Sequence, residues 1–249
     1  MLLSATESAV PPPTFSTLAV DEWRLLTFRR PSAAVAVHWK SYLAFGLVFT
    51  WLAGIGRYWD NPRAHLWQHA GLGSVVYVFV LALIVWLLLL PLKPRHWSYG
   101  NVLTFVTLTS VPALLYAIPV ERFMPLSLAQ SVNAWFLAVV AAWRVALLVV
   151  FLRRVASLSG AAILVASLLP LVLIVVALTA LNLEHVVFDI MAGVPPGARS
   201  GNDVAYVVVA VLAYLSVHAA PFLILAYLWL AYRARRASKE TTAASIPSS

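Results

Sequence analysis

The chain has 249 residues, 62% of them hydrophobic and only 10% charged, with a net charge of +8 and no cysteine. Soluble domains carry about 25% charged and about 45–50% apolar residues, so this composition excludes an ordinary soluble domain and predicts an all-α, polytopic membrane helix bundle. Without cysteine there are no disulfides, thiolate metal sites or cysteine nucleophiles. The basic excess sits beside apolar segments, which assigns it to topology and lipid headgroups rather than to nucleic acid.

The opening MLLSATESAVPPPTFST has neither a basic n-region nor a long apolar h-region, so it reads as a disordered tail rather than a cleaved signal peptide. Residues 16–30 then read as a short amphipathic helix lying on the membrane surface. Trp23, Leu25, Leu26 and Phe28 turn towards lipid, Arg24, Arg29 and Arg30 turn towards headgroups, and Pro31 is the stop. Residues 1–31 thus precede a membrane domain over 32–232, with a basic, disordered tail over 233–249.

A spanning helix needs about 20 apolar residues, and six segments qualify. They are Ser41–Gly56, extended back towards Ala33 with Lys40 at the interface, then Gly73–Leu92 and Gly100–Ile118. Ser131–Leu152, Ser159–Leu181 and the overlong Val204–Tyr232 complete the set. Pro112, Pro170 and Pro221 lie inside the third, fifth and sixth, where each removes a backbone hydrogen bond.

Placing the N-terminus in the cytoplasm puts Arg24, Arg29, Arg30, Lys40, Lys93, Arg95, Arg153, Arg154, Arg233, Arg235, Arg236 and Lys239 inside. Only Arg57, Arg63, Arg122 and Arg199 fall outside. That asymmetry predicts six spans with both termini cytoplasmic, in a bacterial inner membrane. Trp39, Trp51, Tyr58, Trp59, Trp97, Tyr99, Trp229 and Tyr232 fall near helix ends as interface anchors. Arg24, Arg29, Arg30, Arg233, Arg235 and Arg236 are the expected contacts to anionic headgroups on the cytoplasmic side.

The same map puts Asp60, Glu121, Glu184, Asp189, Asp203, His65, His69 and His185 on the outer side. His65 and His69 are spaced i,i+4, which on a helix aims both imidazoles from one face. Asp60, Glu184 and His185 complete a candidate metal cluster there. The plainer reading is a loop, with Asp60-Asn61-Pro62 opening a short helix over 62–70. A His-Glu-x-x-His motif is absent, and so are phosphate-loop, nucleophile-elbow and dinucleotide motifs. No cofactor is expected.

Arg144 lies within the fourth span and His218 near the middle of the sixth. An intramembrane charge faces a partner or water, so the two form a candidate polar site for a small transporter or channel. The plainer readings are a structural arginine and an interhelical hydrogen bond.

Three stretches carry a family resemblance. LLTFRRPSAAVAVHWK has the texture of an apolar-basic entry segment ending in Pro before the first span. SYGNVLTFVTLTSVPALLYAIP is a tyrosine-led helix with a proline near its far end. WRVALLVVFLRRVASLSGAAILVASLLPLVLIVV is a helix pair joined by a short turn of small residues. Over residues 22–182 the chain resembles the bacterial Yip1-like membrane proteins. It departs from the family in lacking the acidic DLYGP-type motif of eukaryotic members and in having six predicted spans where they have five. The resemblance implies a non-catalytic integral membrane protein, in membrane organisation or as a scaffold for other membrane proteins, and it carries over no catalytic residue. The alternatives are a transporter or channel at Arg144 and His218, and a metal-binding protein or enzyme at the outer cluster.

Overall fold

The computed structural model describes residues 10–59, 65–95, 97–181 and 204–244. Among these residues the chain is all-helical, without strands. Five helices are long and apolar enough to cross a membrane: Leu72–Leu92, Tyr99–Ala117, Ser131–Arg154, Gly160–Ala180 and Ala210–Ala237. They coincide with five of the six predicted spans.

Helix α1 (Phe15–Leu26) starts at a reciprocal cap. The Thr17 amide donates to the Thr14 hydroxyl, and the Thr14 amide donates back to the Thr17 hydroxyl, both at 3.3 Å. It ends four residues before the predicted limit. Phe28 takes a left-handed conformation (φ 61°), and the amides of Phe28 and Arg29 donate to the carbonyls of Leu25 and Arg24. That pairing is a Schellman stop. Here it reverses the chain before Pro31 can act.

A single turn, α2 (Ala34–Val37), leads into α3 (Trp39–Tyr58). At 20 residues α3 is about 30 Å long. It is not among the five spans above, and Lys40 and Arg57 bound its apolar run. It packs against α5, α6 and the turn that follows α6. The approach is close. A Cβ on Gly46 would lie 2.8 Å from the Thr107 backbone, and one on Gly54 would lie 2.8 Å from the Gly71 carbonyl oxygen. Small residues let membrane helices meet at this range.

After the one-turn α4 (Leu66–His69), helix α5 (Leu72–Leu89) runs into a 3₁₀ turn at Leu90–Leu92. Helix α6 (Tyr99–Leu108) is capped by Ser98, whose hydroxyl accepts the Asn101 amide at 3.2 Å. The third span was predicted as one helix. Instead the α-helix stops at Leu108 and continues as a 3₁₀ segment, Val111–Ala117. Pro112 has no N–H to give Leu108. Hydroxyls take up neighbouring carbonyls, with Thr107 donating to Thr104, and Thr109 and Ser110 both donating to Val106. Every residue from Val102 to Ser110 is buried, so α6 is the centre of the bundle.

Helix α7 (Leu126–Arg154) and α8 (Gly160–Ala180) follow. Helix α9 (Val204–Ala244) has 41 residues, about 60 Å. It runs past the predicted limit at Tyr232 and through RARRASKETTAA. That stretch was expected to be disordered, but it consists largely of good helix formers. Helix α9 packs on α8 and on the Leu90–Leu92 turn. Pro170 and Pro221 lie within continuous helices.

Candidate functional site

The most elaborate polar arrangement among the described residues is at the α1 end of the bundle. Leu18, Asp21, Glu22, Leu25 and Leu26 share one face of α1, at i, i+3, i+4, i+7 and i+8. That face is turned inward. Leu26 joins the main core with Val102, Leu147 and Leu152, while Leu18 and Leu25 pack on the cluster of Ala34, Tyr42, Phe45 and Leu108. The expectation that Leu25 and Leu26 face lipid is therefore wrong. Trp23 and Phe28 are exposed as expected.

Asp21 is only 2% exposed. Its carboxylate accepts from the Ser32 amide (2.8 Å), the Ser32 hydroxyl (2.5 Å) and the Tyr42 hydroxyl (2.6 Å), with Arg24 at 3.5 Å. Burial opposes its charge. The bonds from Ser32 and Tyr42, with the field of Arg24, outweigh burial and hold Asp21 below its ordinary pKa. The clasp ties α1, the returning loop and α3 to one anion. Two further bonds fix the end of α1 on α7: Trp143 Nε1 donates to the Leu26 carbonyl (2.9 Å), and Arg154 donates to the Phe28 carbonyl (2.8 Å).

Glu22, the next residue, is 5% exposed, and neither carboxyl oxygen has a hydrogen-bond partner. Burial alone pushes its pKa up to about 8, so the side chain is held as the neutral acid at pH 7.

Beside the clasp is a cavity of about 430 Å³ between the α1–α2 loop, α3, α6 and α7. Arg29, Arg30 and Arg154 are among its lining residues. Phe105, Leu108, Leu147, Val150, Phe151 and Trp39 supply much of its apolar lining, and Ser32, Asn101 and Thr104 add polar groups.

The other sequence-predicted residues are dispersed. Arg144 is half-buried on α7. His218 is exposed on α9, where its Nδ1 lies 2.8 Å from the Tyr214 carbonyl and its ring lies on that tyrosine. Neither lines the cavity described above. His65 precedes α4 in extended conformation, its amide bonded to the Gln68 side chain at 2.7 Å, and His69 ends that helix half-buried. The two therefore do not share a helical face. Asp60, Glu184 and His185 lie outside the described residues, as does the Asp60-Asn61-Pro62 turn. Among the described residues no three His, Asp or Glu side chains gather as a metal-holding group.

Of the predicted headgroup contacts, Arg24 reaches Asp21, Arg29 and Arg30 line the cavity, and Arg233 stacks over Trp229 at 4.8 Å. Arg235 lines a second, 210 Å³ cavity with Pro91 and Tyr227, and Arg236 is exposed further along α9. The sequence reading missed Asp21, Glu22, Ser32 and Tyr42. The available signal was the single stripe that the two acids share with three leucines.

No protein-family profile, curated protein or solved structure matches the chain.

Proposed function

We propose that the chain is a non-catalytic integral membrane protein of a bacterial inner membrane, Yip1-like in plan, that acts in membrane organisation or as a scaffold for other membrane proteins. It has six spans and cytoplasmic termini. Helix α3 is the additional span: its 20 residues match a core of about 30 Å, and Lys40 and Arg57 at its two ends each lie over an adjacent aromatic ring, Trp39 and Tyr58. Helix α1 lies at the cytoplasmic interface, where its exposed Phe15 and Trp23, with Phe28 just past its end, meet the boundary between headgroups and acyl chains, and Arg24, Arg29 and Arg30 meet anionic lipid.

The observation that carries this reading is the Asp21 clasp. A surface helix that only needed to float on lipid would not bury a carboxylate against Tyr42 and Ser32. Its attachment serves to hold an apolar and basic face in a fixed place beside the bundle.

The chain has no cysteine, so single introduced cysteines report topology cleanly. Cysteines at Ala36, Ser157 and Ala234 should be shielded in intact cells from a membrane-impermeant maleimide, and those at Leu66 and Phe123 should react. Equal shielding at Ala36 and Leu66 would remove α3 as a span, and a reversed pattern would invert the protein. For the scaffold role, a photo-cross-linker at Trp23 should capture lipid or membrane-protein adducts that disappear in Asp21→Ala. Capture unaffected by that substitution would separate the clasp from function.

A further inference from the structure

We propose that the cavity beside the Asp21 clasp is a binding site for one anionic phospholipid. Its phosphate sits among Arg29, Arg30 and Arg154, and an acyl chain enters between α6 and α7. The proposal rests on the reading that this end of the bundle lies at a membrane interface.

The first argument is charge. Arg29, Arg30 and Arg154 all line one cavity, and among the described residues no carboxylate lies within ion-pair distance of any of them. The nearby acids do not compensate. Asp21 is engaged by Ser32, Tyr42 and Arg24, and Glu22 is held neutral by burial. Arg154 uses a nitrogen on the Phe28 carbonyl, but a guanidinium has five N–H donors in a fork suited to phosphate oxygens. All three arginines are exposed, so their charge is accessible to an anion arriving from outside the bundle.

The second argument is polarity with depth. Phe105, Leu108, Leu147, Val150 and Phe151 line the cavity too, with Asn101 and Thr104 of α6 as polar members of the same lining. Along α7 the lining runs from Arg154 to Leu147, and along α6 from Asn101 to Leu108. Each is seven residues, or about 10 Å of depth. A soluble anion such as inorganic phosphate would use the arginines and leave this apolar shaft open to water. A zwitterionic lipid would fill the shaft but bring its own cation to the arginines. Only a ligand with a net negative head and a hydrocarbon tail matches both ends, as basic pockets between membrane helices do for acidic lipids. The volume, about 430 Å³, falls within the range of about 300–1,000 Å³ of small-molecule sites. It suits one lipid's phosphate and the upper part of one chain.

The test uses the full-length protein, delipidated in a neutral detergent and titrated with phosphatidylglycerol while native mass spectrometry counts bound lipid. One phosphatidylglycerol per chain should be retained at least tenfold more strongly than phosphatidylcholine or diacylglycerol, with no retention of glycerol phosphate. The combined change Arg29→Gln, Arg30→Gln, Arg154→Gln should weaken retention at least tenfold, and Val150→Trp should do so by filling the shaft with all three arginines present. Equal retention of phosphatidylcholine, or binding of glycerol phosphate as tight as the lipid, would overturn the proposal. The unmodified protein supplies a second measurement that needs no folded variant. Phosphatidylglycerol brominated high on its chains should quench tryptophan fluorescence more than brominated phosphatidylcholine does at equal concentration; equal quenching overturns the proposal. These results do not depend on which way the chain faces. A failed maleimide map leaves the lipid site standing, and a failed lipid titration leaves the topology standing.

Discussion

Asp21 and Glu22 are consecutive residues, both buried, and they are driven to opposite protonation states. Asp21 has three hydrogen-bond donors and a nearby arginine, and it stays ionised. Glu22 has no partner, and its pKa is raised to about 8. Docking of α1 therefore has two separate pH limits.

The upper limit comes from Glu22. An acid whose folded pKa lies above its unfolded one favours the folded arrangement at low pH. Its benefit is complete below about pH 4.5 and is lost as pH rises through about 8. The difference amounts to at most about 5 kcal/mol. Melting temperature in detergent should fall between pH 5 and pH 9, and Glu22→Gln should flatten that slope. A slope unchanged in the variant would assign it to another group.

The lower limit comes from Asp21. Its pKa is held below its ordinary value of 3.8, so its contribution is present above that value and lost as pH falls further. Asp21→Asn should cost about 1.5–3 kcal/mol at pH 7, the range for hydrogen bonds to a charged group. Tyr42→Phe, which removes one donor of the set, should cost less. Limited proteolysis should then cut first near Arg29 and Arg30, where undocking exposes the returning loop.

Phe28 holds a left-handed conformation where glycine is usual. An L-residue there costs about 1–2 kcal/mol, partly offset by the greater chain entropy that glycine loses on folding. Phe28→Gly should leave the Arg29-to-Arg24 bond intact and raise the melting temperature, with a gain near 1 kcal/mol. A fall would show that the exposed ring contributes more than the strain costs.

Gly46 meets the Thr107 backbone with no room for a side chain. Gly46→Leu should force α3 away from α6 and cost about 1–3 kcal/mol, read as loss of the monodisperse peak in size-exclusion chromatography or a lower melting temperature. Gly160, with open space around its Cβ position, is the control: Gly160→Ala should be silent.

Much of the helical framework was legible in the sequence because it follows from apolar run length. Both limits of α8 and the end of α7 fall within two residues of the predicted ones, since basic residues and Ser159 punctuate the runs, whereas α7 begins five residues early, at Leu126. The break in the third span was half legible. Pro112 was marked, but which hydroxyls would take up the carbonyls around it depends on rotamers that no run length encodes. The site was the least legible part. An acid pair in an arginine-rich segment reads as solvated, and only the return of Ser32 and Tyr42 to Asp21 makes burial tolerable. Those contacts span 11 and 21 residues, beyond any helical period.

The central position of α6 bears on how the protein is made. In the span from Tyr99 to Ala117, 56% of the most apolar window is buried inside the bundle, against 17% for Ser131–Arg154 and 11% for Ala210–Ala237. Its threonines, serine and broken helical turn are shielded by protein on nearly every side. Released alone into hydrocarbon during synthesis, it would be the most prone of the five apolar segments to slip back out. Its partners α3 and α5 both precede it in the chain. The order of translation thus sets up a protein-lined berth before α6 leaves the ribosome, and swapping these segments in a permuted gene would take that shelter away.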